Sequence, residues 1–233
     1  MHTLSPNFDP RDPAVPVQFV ILHYTGMPSG DDALERLRDP ASKVSAHYLI
    51  EEDGRLFKLV EENARAWHAG LSAWRGIADI NSASVGIELV NPGHQHGYRA
   101  FPAPQISTLK GLLHGILKRH GMNPATALLA HADVAPERKE DPGELFPWRD
   151  LAADGLGLWP EPASGDYVFA EDGEVQEMLR TVGYHIPPSG SYDKPTRAAL
   201  LAFQRHYHPE NLTGTPERET VARLRALCRS ITI

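Results

Sequence analysis

The chain has 233 residues, 41% of them apolar, which is enough to fill the core of one medium domain and a smaller one. Its formal net charge is −7, and no stretch offers the basic face that a nucleic-acid backbone requires, so nucleic acid is excluded as a partner. A single cysteine, Cys228, excludes an internal disulfide and a cysteine-based metal site. Any metal must therefore be held by His, Asp or Glu.

The N-terminal segment indicates in which cellular compartment the protein is located. Residues 1–15 lack the basic start and apolar run of a signal peptide, and every apolar run in the chain is far shorter than the roughly 20 residues that span a bilayer. We therefore expect a cytoplasmic monomer without membrane insertion, or a periplasmic protein if a leader is missing from this sequence.

Five short segments have the β-branched and aromatic composition of strands. The predicted strands cover residues 17–24, 46–51, 55–60, 84–90 and 127–130. The second and third flank Asp53-Gly54, a pair that favours a tight hairpin turn, so these two strands should pair antiparallel. His23 lies near the end of the first strand, and His131 directly follows the last.

The rest of the pattern is helical. Apolar residues recur at helical spacing over residues 105–120, and more weakly over 32–37. A Pro/Gly/Ser-rich stretch at residues 159–165 is typical of a linker. The apolar stripes beyond it predict three short helices. The third has Thr215 as N-cap and Pro216 as its first residue. The predicted organisation is a domain of residues 1–155, a linker of residues 156–170 and a three-helix domain of residues 171–233.

The segment HADVAPERKEDPG, which begins at His131, carries the most chemical information. It places Asp141 ten residues after His131, and His23 adds a second imidazole from another strand end. Two imidazoles and one carboxylate form a typical catalytic zinc (Zn²⁺) site, which keeps one position open for water. The metal lowers the pKa of that water to about 7, and an amide carbonyl is a suitable target for it.

Two further charged residues fit the same chemistry. Glu88, in the strand segment SVGIELV, can act as the general base, and Lys139 can place a positive charge beside a developing oxyanion. Each also has a structural interpretation, Glu88 as a buried, paired carboxylate and Lys139 as part of a solvated charged run. On the residues alone, the structural interpretation of Glu88 is favoured.

Other histidines are interpreted as structural. His47, in SAHYLI, would close the metal site to water if it were a fourth ligand, so it is assigned a structural role or a contact with a ligand. His206 and His208 show no partner pattern and are assigned no function.

Five segments in order resemble the zinc-dependent N-acetylmuramoyl-L-alanine amidases of the AmpD and AmiD group, which cleave the bond between the lactyl group of N-acetylmuramic acid and L-alanine in peptidoglycan. The matching segments are VILHYT (20–25), SAHYLIEEDG (45–54), RAWHAG (65–70), NSASVGIELVN (81–91) and HADVAPERKEDPG (131–143). The resemblance implies an α/β fold with a mixed β-sheet flanked by helices. It further implies zinc held by His23, His131 and Asp141, catalysis by Glu88 with Lys139, and a peptidoglycan or muropeptide groove lined by Trp67 and His68.

The tail resembles a second known unit, the three-helix peptidoglycan-binding module. The matching segments are EVQEMLRTVGY, GSYDKPTRAALLAFQRHY and LTGTPERETVARL. The polar run at 206–210 departs from the pattern of that module. The resemblance implies that the tail binds cell-wall polymer.

Two alternatives stay open at this point. One is a non-catalytic wall-recognition protein of the same fold, although no predicted ligand or base is missing here. The other is a glycosidase that uses Glu88 and Asp141 as paired carboxylates to cut the glycan.

Overall fold

The computed structural model describes residues 4–232. The ends of the predicted domains, residues 1–3 and 233, lie outside it. A five-stranded sheet has the order β4-β3-β6-β2-β7, and β1 and β5 form a separate antiparallel pair. The strands are β1 (Phe8–Pro10), β2 (Phe19–Tyr24), β3 (Tyr48–Ile50), β4 (Leu56–Lys58), β5 (Ala64–Ala66), β6 (Ser84–Leu89) and β7 (Leu128–Ala130).

Ten α-helices occupy the described part of the chain. They are α1 (Gly30–Arg38), α2 (Ile80–Ala83), α3 (Gly93–His96), α4 (Ala103–His120), α5 (Pro124–Ala127), α6 (His131–Val134), α7 (Trp148–Ala153), α8 (Asp172–Val182), α9 (Lys194–Tyr207) and α10 (Arg218–Thr232). None of the described helices combines the length and apolar character needed to cross a bilayer.

The sheet is mixed, as the sequence predicts. Strands β7, β2, β6 and β3 are parallel neighbours, and β4 returns antiparallel to β3 across the hairpin. Residues 19–22 of β2 are all buried, because a central parallel strand is covered on both faces. Helix α4 covers one face with Ile106, Leu109, Leu113 and Ile116. The predicted fold class is confirmed.

The strand register determines where the functional side chains meet. His23 on β2 is the register partner of Glu88 on β6, and β7 ends one residue before His131. Since the carboxyl ends of parallel strands meet at one sheet edge, three separate segments deliver these side chains to the same place.

Two features differ from the prediction. The pair β1–β5 was not anticipated, because each strand has only three residues and lacks a clear alternating pattern. Helix α10 begins at Arg218 rather than Pro216. The reason is that the carbonyl of Thr215 accepts a hydrogen bond from the side chain of Gln204 at 3.1 Å, which holds that residue in the preceding loop.

The C-terminal unit, helices α8 to α10, uses one loop design twice. The buried amide of Gln176 donates to the loop before α9, and the backbone N–H of Gly190 donates back to it at 2.8 Å. Gln204 and Gly214 repeat this arrangement in the loop before α10, at 2.7 Å. Both glycines have left-handed φ angles, 73° and 71°, which favour residues without a Cβ. The unit is therefore an internal repeat of helix, loop and helix.

A buried polar cluster joins the C-terminal unit to the sheet domain. Asp133 of α6 accepts hydrogen bonds from His206 Nδ1 at 2.8 Å and from the Tyr184 hydroxyl at 2.7 Å. The His206 ring also stacks on Trp148, with 3.6 Å between the ring centroids. We call Asp133, Tyr184 and His206 the interface cluster. It holds α9 firmly against the sheet domain.

Candidate active site

Three donor atoms converge at the sheet edge. His23 Nδ1 lies 2.9 Å from His131 Nδ1, and each of these nitrogens lies 3.0 Å from Asp141 Oδ2. All three residues are buried, and one donor atom from each lies within 4.8 Å of the others. We call His23, His131 and Asp141 the donor cluster. The structure brings together the three residues that the sequence predicts as ligands.

The other ring nitrogens hold the imidazoles in place. His131 Nε2 lies 3.1 Å from the carbonyl oxygen of Ala69, and His23 Nε2 lies 3.1 Å from His68 Nδ1. Gly86 on β6 leaves room for the His68 ring, because a Cβ there would lie 2.4 Å from His68 Cγ. Hydrogen bonds of this kind orient imidazole ligands, and here they turn both Nδ1 atoms toward Asp141.

The electrostatics suit a cation. Burial and the neighbouring His131 lower the pKa of His23 to about 4, so its imidazole is neutral at pH 7. Burial alone would raise the pKa of Asp141, but its interactions with the His131 and His23 imidazoles hold that pKa well below its usual value. A neutral imidazole and an ionised carboxylate are the forms that bind metals.

The chemistry of the donor set fits a metal ion. Two imidazole nitrogens and a carboxylate oxygen are the ligands of many catalytic metal sites, and the donor cluster has this composition. Glu88 adds a second observation, since its Oε2 atom is buried and has no hydrogen-bond partner among the described residues. Burial and the charge of Asp141 raise the pKa of Glu88 well above its ordinary value, and Lys139 lowers it in part.

A cleft of about 940 Å³ opens onto the donor cluster. Its lining includes the residues that the sequence predicts for catalysis and substrate binding: Trp67, His68, Glu88 and Lys139. The indole N–H of Trp67 donates to Asp9 at 2.7 Å, which anchors the ring at the wall. The Nδ1 atom of His68 contacts His23, so the nearest polar neighbour of the His68 ring is a member of the donor cluster. His47 lies outside the donor cluster and bonds to the backbone of Gly86 and Ala64.

Sequence reasoning missed two features near the site. His206, which has no recognisable partner in the sequence, bonds to Asp133 across 73 positions. One face of α9 also lines the cleft, through Lys194, Arg197, Ala198, Leu201 and Arg205. The spacing of these five positions fits one helical face, but no sequence signal says that the face looks onto the cleft.

A buried donor cluster that could hold a metal ion, beside a carboxylate with an unpaired oxygen at the edge of a mixed sheet, is typical of the class of metal-dependent hydrolases. Comparison with known families agrees. Residues 13–144 match the model of the N-acetylmuramoyl-L-alanine amidase domain, and residues 171–224 match that of a putative peptidoglycan binding domain. The first match covers more than half of the chain, and this chain therefore belongs to the N-acetylmuramoyl-L-alanine amidase family.

Curated relatives agree with this assignment. The N-acetylmuramoyl-L-alanine amidase AmiD of Escherichia coli (strain K12) is 36% identical over 231 residues, covering 91% of this chain and 82% of AmiD. The 1,6-anhydro-N-acetylmuramyl-L-alanine amidase AmpD of Haemophilus influenzae is 33% identical over 161 residues, covering 62% of this chain and 85% of AmpD. The predicted amidase function is confirmed, which removes the glycosidase and non-catalytic alternatives.

Solved structures extend the likeness to both units. The complex of E. coli AmiD with anhydro-N-acetylmuramic acid-L-Ala-D-gamma-Glu-L-Lys has a TM-score of 0.82 and 35% identity, and the match covers 94% of this chain and 91% of that one. AMPDH3 from Pseudomonas aeruginosa has a TM-score of 0.85 and 32% identity, with all of both chains covered. The arrangement of sheet domain and C-terminal unit is therefore shared with these proteins.

Proposed function

We propose that this amidase uses Zn²⁺ held by His23, His131 and Asp141. The convergence of these three buried donors supports the proposal. Bound there, the metal would supply Lewis-acid polarisation of an amide carbonyl and a lowered pKa for water. Two neutral imidazoles and one carboxylate leave a net positive charge on the occupied site. That charge favours the oxyanion that forms during amide hydrolysis.

Glu88 is the proposed general base. Its carboxylate lies on the strand beside His23, and its unpaired Oε2 is free to accept a proton. Burial raises the pKa of Glu88, which makes its carboxylate a stronger base than an ordinary glutamate. Glu88 would take the proton from the attacking water and deliver it to the nitrogen of the leaving amine.

Lys139 is proposed to stabilise negative charge in the cleft. Its ammonium contributes to lowering the pKa of both Glu88 and His23, which supports an electrostatic role at the site. The side chain is exposed, so it can approach a substrate carbonyl without disturbing the core. A positive charge held beside the developing oxyanion lowers the barrier to addition.

Trp67 and His68 have different proposed roles. Trp67 presents an anchored ring to the cleft and suits the apolar face of a sugar or peptide. His68 acts mainly through its 3.1 Å contact with His23, which orients that donor.

The proposed substrate is a muropeptide of the kind found in the AmiD complex, anhydro-N-acetylmuramic acid joined to an L-Ala-D-γ-Glu-L-Lys peptide. A cleft of about 940 Å³ is in the size range that holds such a ligand. The second matched domain, at 171–224, supports wall polymer as a further substrate. Hydrolysis would release free peptide and leave the sugar intact.

The decisive experiment uses Glu88→Gln, which keeps the size of the side chain but removes the base. We expect kcat to fall by about 10² to 10⁴-fold while zinc content by elemental analysis is unchanged. Glu137→Gln is the matched control, because Glu137 is an exposed carboxylate of the same cleft. Unchanged turnover by Glu88→Gln, or full activity of metal-free protein after chelation, would contradict the proposal.

A further inference from the structure

One face of helix α9 forms a wall of the catalytic cleft. Its lining positions, Lys194, Arg197, Ala198, Leu201 and Arg205, are three or four residues apart or adjacent, as on one side of a helix. Their neighbours Ala199, Leu200 and Phe203 are fully buried in the C-terminal unit. The wall therefore comes from outside the matched amidase domain, which ends at residue 144.

The wall is held rigidly relative to the donor cluster. His206, at the end of the same helix, bonds to Asp133 at 2.8 Å, and Asp133 lies in the same short helix as His131. At the other end, the side chain of Asp193 caps α9 by accepting from the backbone N–H of Thr196 at 2.9 Å. These contacts fix the backbone of α9 relative to the donor cluster.

The three cations of the wall differ in how they are paired. Lys194 lies 3.5 Å from Glu137, and Arg205 lies 3.5 Å from Glu140. Arg197 is exposed, and its guanidinium makes no ion pair or hydrogen bond within residues 4–232. Its aliphatic stem is supported, since a Cβ on Gly214 would lie 3.1 Å from Arg197 Cγ. Arg197 therefore offers a free, well-placed guanidinium to the cleft.

We propose that Arg197 binds the α-carboxylate of the γ-linked glutamate in the substrate's stem peptide, and that the α9 wall makes the enzyme selective for a peptide with that carboxylate. This inference rests on the proposed function. The sugar of the proposed substrate carries no free carboxylate, because its lactyl group is consumed in the scissile amide. The peptide carries two, the α-carboxylate of the glutamate joined through its γ-carboxyl and the terminal carboxylate of the lysine. Only the glutamate α-carboxylate stays in place when the peptide is longer. A guanidinium binds a carboxylate through two parallel hydrogen bonds.

The test compares two synthetic substrates that differ in one group. Both are anhydro-N-acetylmuramic acid-L-Ala-D-γ-Glu-L-Lys, but one has the glutamate α-carboxylate and the other an α-carboxamide. We expect the wild-type enzyme to prefer the carboxylate, and Arg197→Ala to lower kcat/KM for it about tenfold, mainly through KM, with little change for the carboxamide. Arg197→Lys should recover part of the loss, because it keeps the charge.

Arg180→Ala is the matched control, since Arg180 is an exposed arginine of α8 outside the cleft. It should leave both substrates unaffected. An Arg197→Ala enzyme that treats the two substrates as the wild type does, or that loses activity equally on both, overturns the inference while the amidase assignment stands. A wild-type enzyme that hydrolyses neither substrate would instead overturn the proposed substrate itself.

Discussion

The donor cluster and the interface cluster are both buried groups of histidine and aspartate, and both include a residue of the short helix α6. In the interface cluster, Asp133 accepts from His206, from Tyr184 and from the backbone N–H of Ala130, at 2.7 to 2.8 Å. In the donor cluster, His23 Nδ1 and His131 Nδ1 approach each other to 2.9 Å and share one oxygen of Asp141.

The difference lies in what the polar atoms point at. The interface carboxylate is surrounded by N–H and O–H donors, so its charge is satisfied within the protein. The donor cluster directs two imidazole nitrogens and a carboxylate at one point beside an open cleft, an arrangement that could hold a cation. Residue type alone does not distinguish a metal-binding cluster from a buried hydrogen-bonded cluster. The direction of the lone pairs distinguishes them.

Removing the shared carboxylate should have the largest effect on activity. We expect Asp141→Ala to lower amidase activity by several orders of magnitude and to abolish zinc retention, because a site with two ligands cannot hold the metal against dialysis. Activity assays and elemental analysis measure this. A variant that keeps stoichiometric zinc and normal turnover would contradict the assignment of Asp141 as a ligand.

Removing the interface carboxylate should mainly affect stability. Asp133→Ala leaves His206, the Tyr184 hydroxyl and the Ala130 N–H without their partner, and we expect a loss of about 3–5 kcal/mol in the free energy of unfolding. Urea denaturation followed by circular dichroism measures it.

Asp150→Ala is the control for Asp133→Ala, because Asp150 makes an exposed ion pair with Lys110 and should cost less than about 1 kcal/mol. A variant Asp133→Ala that unfolds like the wild type would contradict the structural role of the interface cluster. Zinc binding by folded Asp133→Ala would show that the donor cluster holds metal independently of the interface cluster.

The smallest effect concerns His47, a buried histidine whose two nitrogens both contact the chain. Burial lowers its pKa to about 4 in the folded state, against 6.5 for the unfolded chain. The unfolded state therefore takes up a proton first as the pH falls, and the contribution of His47 to stability is present above pH 6.5 and is lost between pH 6.5 and about 4.

The measurement for His47 is the free energy of unfolding across that interval in wild type and His47→Gln. The wild-type curve should fall more steeply than that of the variant, by about 1 kcal/mol per pH unit at most. Parallel curves would show that the pKa of His47 is the same in the folded and unfolded states, which would contradict its assignment as a buried structural residue.

Much of the site was predictable because strand ends and motif spacing are local properties. The apolar run before Tyr24 and the short run before His131 both predict strands, and both strands are present. Asp141, Glu88 and Lys139 were candidates from their own segments, and the family resemblance favoured a functional role for each. The structure places all three on the same cleft. The roles of these residues stay predictions.

The features that the sequence did not predict correctly depend on contacts between residues far apart in the chain. His206 looks like a solvated residue of a polar run, but it is buried against Asp133 and Trp148. The start of α10 was wrong by two residues, because a side chain on α9 holds the preceding loop. In both cases a contact from another helix outweighs the local preference.

Local chemistry in the chain was enough to predict the strands and to make the three donors candidates, since these follow from side-chain patterns within short segments. The mixed sheet was implied only by the family resemblance. The docking of the C-terminal unit was not contained in any segment. It arises when packing brings Tyr184 and His206 onto Asp133, and the same docking turns Arg197 toward the cleft. Such contacts join residues far apart in the chain, so they exist only once the helices have packed.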